Sequence, residues 1–218
     1  RGRVILQGGR LNDMLLHSRT WAWEGTSWTV LNPPVDPGNR DKAALIYDIR
    51  SAHLVFFGGE TYSGIQNDLF VGDGDTWTPW MPPRLPPARY WHALAHDPDR
   101  ARTLLFGGTD GATHGDTWEW DGSAWTELSP PVSPEPRVGT ALAHDALRGR
   151  IMLFGGSANQ IVQSDTWEWD GAAWPQRFPA TSPPARRDHA LAFDVARNRL
   201  VLFGGSDGVS PYGDTWEW

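Results

Sequence analysis

A Gly-Gly pair returns five times along this chain, at residues 8–9, 58–59, 107–108, 155–156 and 204–205, so that successive pairs lie 50, 49, 48 and 49 residues apart. So regular a beat restricts the chain to a row of like units, each too small to bury its apolar face without a neighbour. Three other landmarks keep the same register. Arg40, Arg89, Arg137 and Arg186 each stand four residues before an Ala-Leu step. Asp48, Asp97, Asp145 and Asp194 each end that step. The strings RTWAWEGTSW (19–28), DLFVGDGDTW (68–77), DTWEWDGSAW (116–125), DTWEWDGAAW (165–174) and DTWEW (214–218) follow each glycine pair. The units fall at about 1–36, 37–85, 86–133, 134–182 and 183–218.

Each full unit predicts four short strands. The first is Ala-rich (AALIY, HALAH, TALAH, HALAF) and the second is a continuous apolar run ending in the glycines (LVFFGG, TLLFGG, IMLFGG, LVLFGG). A run of that kind suits a strand buried on both faces. The third is TWEW, and the fourth begins at Trp77, Trp125 or Trp174. Composition agrees: 14 Trp, 24 Gly and 18 Pro in 218 residues describe an all-β chain with many turns, not a disordered one. The net charge of −7 argues against nucleic acid, which needs a basic surface. No apolar run is long enough to span a membrane as a helix. With no cysteine, disulfides, thiolate nucleophiles and zinc-thiolate sites are excluded.

These units resemble Kelch repeats, in the form familiar from bacterial proteins and from the central domain of galactose oxidase. The matching residues are the Arg-x-x-His-Ala opening (Arg89 to Ala93, Arg186 to Ala190), the Phe-Gly-Gly ending, the Asp-Thr-Trp and the later Trp. The resemblance covers essentially the whole chain. It implies an all-β, Kelch-type β-propeller of four-stranded antiparallel blades, present as a partial ring of about five units with the first and last incomplete. It says little of function, because one fold hosts many.

The repeated residues read first as frame. Alternation in TWEW sends Trp118 and Trp120 to one side of the strand. The Asp121-Gly122 hairpin then sets an indole opposite Trp125, by Trp118 in a two-residue turn or by Trp120 in a four-residue loop. Such rings are expected to fill the space between blades. His96 and His144 take the slot of Tyr47 and Phe193, so packing is their expected role; no metal cluster is visible. His92 and His189 are expected near the mouth of the axial channel, where a ligand could meet them. Arg89, Arg137 and Arg186 have two readings: forks to loop carbonyls or to an Asp such as Asp116 or Asp165, or a guanidinium ring that holds an anionic ligand.

The second–third loops vary while their frame repeats, and such loops carry partner contacts. They read RLNDMLLHS, ETYSGIQN, TDGATHG, SANQIVQS and SDGVSPYG. Their candidate binding residues are Asn12, Glu60, Tyr62, Asn67 and Asp110, with His114, Asn159, Gln160, Asp207 and Tyr212. The leading expectation is a non-enzymatic module that recognises a protein or a glycan through these loops, without cofactor or metal. The alternatives are a sugar epimerase using His92, Glu60 or Asp110, and a purely structural repeat. A copper radical oxidase is ruled out by the missing cysteine. A sialidase is disfavoured, since FVGDGDTW (70–77) lacks the Ser of the sialidase box and misplaces its Asp. The chain begins at a second strand and ends after a third, which predicts a piece of a longer polypeptide. The repeat style favours export or the cell surface.

Overall fold

The computed structural model describes residues 2–12 and 15–218. Among them every regular element is a strand. The chain divides into two compact units, residues 1–90 and 91–218.

The first unit holds two meander sheets. One has three strands, Val4–Gln7, Thr20–Trp23 and Trp28–Leu31; the other has four, Ala44–Asp48, His53–Phe57, Leu69–Gly72 and Trp77–Trp80. The second unit holds three. Ala93–Asp97, Arg102–Phe106, Thr117–Trp120 and Trp125–Leu128 form one sheet, and Ala141–Asp145, Arg150–Phe154, Thr166–Trp169 and Gln176–Arg177 the next. Ala190–Asp194, Arg199–Phe203 and Thr215–Glu217 make the last, three-stranded sheet. Every pairing is antiparallel between chain neighbours, as the four-strand reading requires. The fourth strand of the fourth repeat departs from expectation: it begins at Gln176, not Trp174. Pro175 has no N–H to give the ladder, although its carbonyl still accepts the Glu168 N–H at 3.1 Å.

The Asp-Gly hairpin resolves to the four-residue loop. Trp120 pairs with Trp125 and their rings lie 5.5 Å apart. Trp23–Trp28 and Trp169–Trp174 repeat the contact at 5.7 and 5.3 Å. Asp121 closes the loop, its Oδ1 accepting the N–H groups of Ser123 and Ala124 at 2.8 Å each.

Packing between repeats of the second unit matches the residue types. Ala93, Ala95, Leu104 and Phe106 of the third repeat form one buried cluster with Leu142, Ile151, Leu153, Trp169 and Trp174 of the fourth. Trp169 and Trp174 are therefore mortar between sheets, and Trp118, Trp120 and Trp125 are buried as well, while Trp28 and Trp80 stay exposed. Alanines on the first strands let neighbouring sheets approach where they crowd. The glycine pairs mark a closer approach still: a Cβ on Gly107, whose φ is +73°, would sit 2.6 Å from the Arg137 carbonyl oxygen.

Candidate functional site

The recurring arginines are fasteners. Arg137 forks onto Asp165 through Nη1 at 2.6 Å and Nη2 at 2.9 Å. Its Nη1 also reaches the Gly155 carbonyl, and its Nε the Glu135 carbonyl. Arg186 repeats this on Asp214, Gly204 and Pro184, and Arg40 forks onto Asp68 and the Gly58 carbonyl. The backbone of the same residue binds the repeat before. The Arg137 N–H donates to the His114 carbonyl, and the Arg137 carbonyl accepts the Gly108 N–H. One arginine thus ties a Pro-rich connection, its own glycine pair, its own third strand and the preceding variable loop.

A partner invisible in the sequence completes the knot. In the last three repeats the first indole of the third strand, Trp118, Trp167 or Trp216, donates to the Asp two residues earlier at 2.7 Å. The Arg186 hydrogen bond, then that of Trp216, holds the Asp214 carboxyl far below the usual carboxylate range. Arg89, Arg137 and Arg186 are each at most 1 % exposed. They lie within the frame of the repeats.

The histidines are packed also. His96 Nδ1 lies 3.1 Å from Thr103 Oγ1. His92 and His189 are buried, and His189 sets its ring edge against Phe154 at 5.5 Å. Among the described residues the fold gathers one set of potential metal ligands that the sequence does not reveal: Asp97, Asp99 and His144. Asp97 is already committed. Its Oδ1 accepts the N–H groups of Asp99 and Arg100, and its Oδ2 takes the Arg100 Nη1 at 2.6 Å. Asp145 makes the same turn with Leu147 and Arg148, so the arrangement belongs to the repeat.

Burial, then the nearby Arg186 charge, pushes the His189 ring down to about 4. In the unfolded chain the ring protonates near pH 6.5; in the folded protein it stays neutral until about pH 4. Its contribution is therefore intact above pH 6.5 and is lost as the pH falls toward 4, by about 3 kcal/mol. Urea denaturation at pH 7 and pH 4.5 is expected to show this loss, and His189→Thr, the residue type of Thr140, to reduce it.

The variable loops are miniature hairpins. Glu60–Thr61 pairs with Gly64–Ile65, Ser157–Ala158 with Ile161–Val162, and single bridges join Thr109 to Thr113 and Ser206 to Pro211. Arg10–Asn12 pairs with Leu15–Leu16, while the Asn12 side chain lies outside the described residues. Many of the polar candidates serve these hairpins. Glu60 binds Lys42 at 2.6 Å. Asp110 accepts the Ala112 N–H and faces His114 at 3.3 Å. Asn159 and Gln160 are the left-handed residues of a two-residue turn, with φ of 49° and 66°. Asp207 accepts the Val209 and Ser210 N–H groups. The Tyr212 ring lies 4.3 Å from the Arg186 guanidinium. Tyr62 accepts the Leu16 N–H at 2.7 Å but keeps an exposed ring, and Asn67 is exposed.

What polar-residue reasoning missed is apolar. Leu11 and Leu15 in the first loop, Ile161 in the fourth and Val209 in the fifth stand in solvent, Ile161 at 66 % and Val209 at 92 % exposure. The signal was present, as aliphatic residues between turn formers in NQIVQ and DGVSP.

Repeated antiparallel meanders, glycine-closed and joined by arginine knots and interleaved indoles, define a β-propeller of Kelch type. The model of the KLHDC2/KLHL20/DRC7 Kelch-repeats domain matches residues 76–218. The chain belongs to the Kelch-repeat family. The comparison with curated proteins found no match.

Proposed function

We propose that this Kelch propeller is a protein-binding module and that its contact surface is the tips of the second–third hairpins. The observation that carries the reading is the exposure of Ile161 and Val209 on loops whose bases are anchored. Ser157 bridges to Val138 and Ser206 to Arg187, so the tips stand on a firm support. A Cβ at Gly208 would lie 3.7 Å from Val162 Cγ2, which places these two loops side by side. Aliphatic side chains held rigidly in water are suited to a protein partner, since their burial is favourable and little order is lost. A glycan would call for exposed aromatic faces, and the aromatic ring of these two loops, Tyr212, is set against the Arg186 guanidinium. An epimerase would need a free acid or base; His92 is buried, Glu60 is ion-paired and Asp110 is engaged in its turn. The reading takes the chain as part of a longer polypeptide.

The test is a pull-down from the source organism's extract, run beside a glycan array, with the wild type and the Ile161→Asp/Val209→Asp variant. The expected result is a protein retained by the wild type, lost by the variant at unchanged melting temperature, with a blank array. Equal retention by both proteins, or binding on the array alone, overturns the proposal.

A further inference from the structure

Two seams of the second unit share one register and differ in chemistry at one point. In repeat register Asp99 corresponds to Leu147, on the turn after the first strand, and His144 to Phe193, near the end of that strand. The seam of the fourth and fifth repeats therefore carries an apolar pair, Leu147 and Phe193, where the seam of the third and fourth carries an acid and an imidazole. Asp97 and Asp145, which close both turns, are common to the two. The frame of the repeats thus requires Asp97 but neither Asp99 nor His144.

His144 Nε2 lies 3.4 Å from Asp99 Oδ2 and 3.7 Å from Asp97 Oδ1. The imidazole is 11 % exposed, and Nε2 itself is buried with no hydrogen-bond partner among the described residues. A charged hydrogen bond to a carboxylate runs to about 2.7–2.9 Å, so an ion pair alone leaves this nitrogen poorly matched. Ligand atoms about 2.0–2.2 Å from a zinc ion stand about 3.3–3.6 Å from one another in a tetrahedral shell. The three atoms here lie within 4.8 Å of one another, so small side-chain rotations close them onto an ion. The shell is also supported from behind. The turn N–H groups of Asp99 and Arg100 and the Arg100 guanidinium orient the Asp97 carboxylate, as hydrogen bonds do for ligating carboxylates. Arg100 ties the seam as well, donating to the Gly149 carbonyl at 3.1 Å and the Asp170 carbonyl at 2.7 Å. Asp99 Oδ2 rests over Gly149, where a Cβ would stand 3.1 Å away.

We propose that Asp97, Asp99 and His144 bind one divalent cation of the zinc class, which clips the first–second turn of the third repeat to the first strand of the fourth. Asp97 Oδ1, Asp99 Oδ2 and His144 Nε2 are the ligands. An imidazole among carboxylates suits a borderline first-row ion, whereas calcium and magnesium take oxygen. Asp99 is 60 % exposed, so the ion enters from its side and water completes the shell. Arg100 offsets one of the two carboxylate charges, which makes the site weaker than a closed structural zinc site and lets it load and unload with free metal. Asp97 pairs with Arg102 at one end of its hairpin and Ala93 with Phe106 at the other. The metal site therefore lies at the opposite end of the strands from the second–third hairpins, apart from the surface proposed for a protein partner.

The test measures zinc binding to the present chain by equilibrium dialysis, with cobalt(II) absorption as a probe of the ligand shell and thermal unfolding as a second readout. A single zinc is expected to bind. At free zinc about a hundredfold above its Kd, the melting midpoint is expected to rise by about 5–10 °C. Two variants borrow what the next seam holds: His144→Phe, the residue type of Phe193, and Asp99→Leu, that of Leu147. Each is expected to weaken zinc binding by more than about tenfold and to remove most of the rise. Asp99 is exposed, so Asp99→Leu keeps the fold even if His144→Phe does not. Absence of bound zinc in the wild type overturns the proposal and leaves His144 as an ion-pair partner. Zinc binding and a midpoint rise that survive either substitution overturn it also, because the metal then sits on other side chains.

Discussion

Arg137→Ala is expected to destabilise the protein by about 3–5 kcal/mol, the usual cost of removing one partner from a buried ion pair. For a chain of this size that amounts to a midpoint about 10 °C lower, measured by thermal or urea unfolding. The reason is the number of groups left without a donor. Asp165 loses both arms of its fork, keeping only the Trp167 indole, and the Gly155 and Glu135 carbonyls lose theirs. Arg137→Lys is expected to recover little, because an ammonium is one point of charge and cannot bridge a carboxylate and a carbonyl in the same plane. Asp165→Asn, which keeps the shape and lowers the charge, should fall between the two. If Arg137→Ala unfolds within about 1 kcal/mol of the wild type, the arginine is not a fastener, and the reading as an anion site returns.

Trp174→Ala should cost a similar amount, about 3–5 kcal/mol, through a different mechanism. The ring is wholly buried and belongs to the cluster that joins Leu104 and Phe106 of one repeat to Ile151 and Leu153 of the next. Its loss opens a cavity on the seam between sheets, and it leaves the Thr117 hydroxyl without its indole. Trp174→Phe keeps much of the burial and loses the hydrogen bond, so its smaller penalty measures the polar part. Combining it with Thr117→Val should cost less than the two single changes added together, since both remove one bond. Additive costs would show that the indole N–H contributes nothing there.

The strands were legible because their cause is local. Alternation in TWEW, the apolar run before each glycine pair and the Asp-Gly loop each act over fewer than ten residues, and five copies in register removed the ambiguity. The hairpin register was half legible. Both turn lengths set two indoles opposite each other, and only the Asp121 carboxylate closing on Ser123 and Ala124 selects the longer loop. The site was less legible still. A polar side chain in a variable loop reads as a ligand contact before its neighbours are seen; Asp110 and Asp207 also close their own turns, and Glu60 is in an ion pair. Ile161 and Val209 stood between turn formers in the sequence, but how far they project into solvent is set by the tertiary structure.

The amino-acid sequence by itself determined the repeat, the strand content and the Kelch-type blade, because those follow from periodicity and short-range turn chemistry. Tertiary structure alone decided what each repeated residue is for. Arg137 reaches Asp165 across 28 residues and Trp174 reaches Thr117 across 57. The first forms once one repeat has folded on itself, and the second only once two sheets have stacked. They show Arg137 holding its own blade together and Trp174 packed on the seam between two sheets.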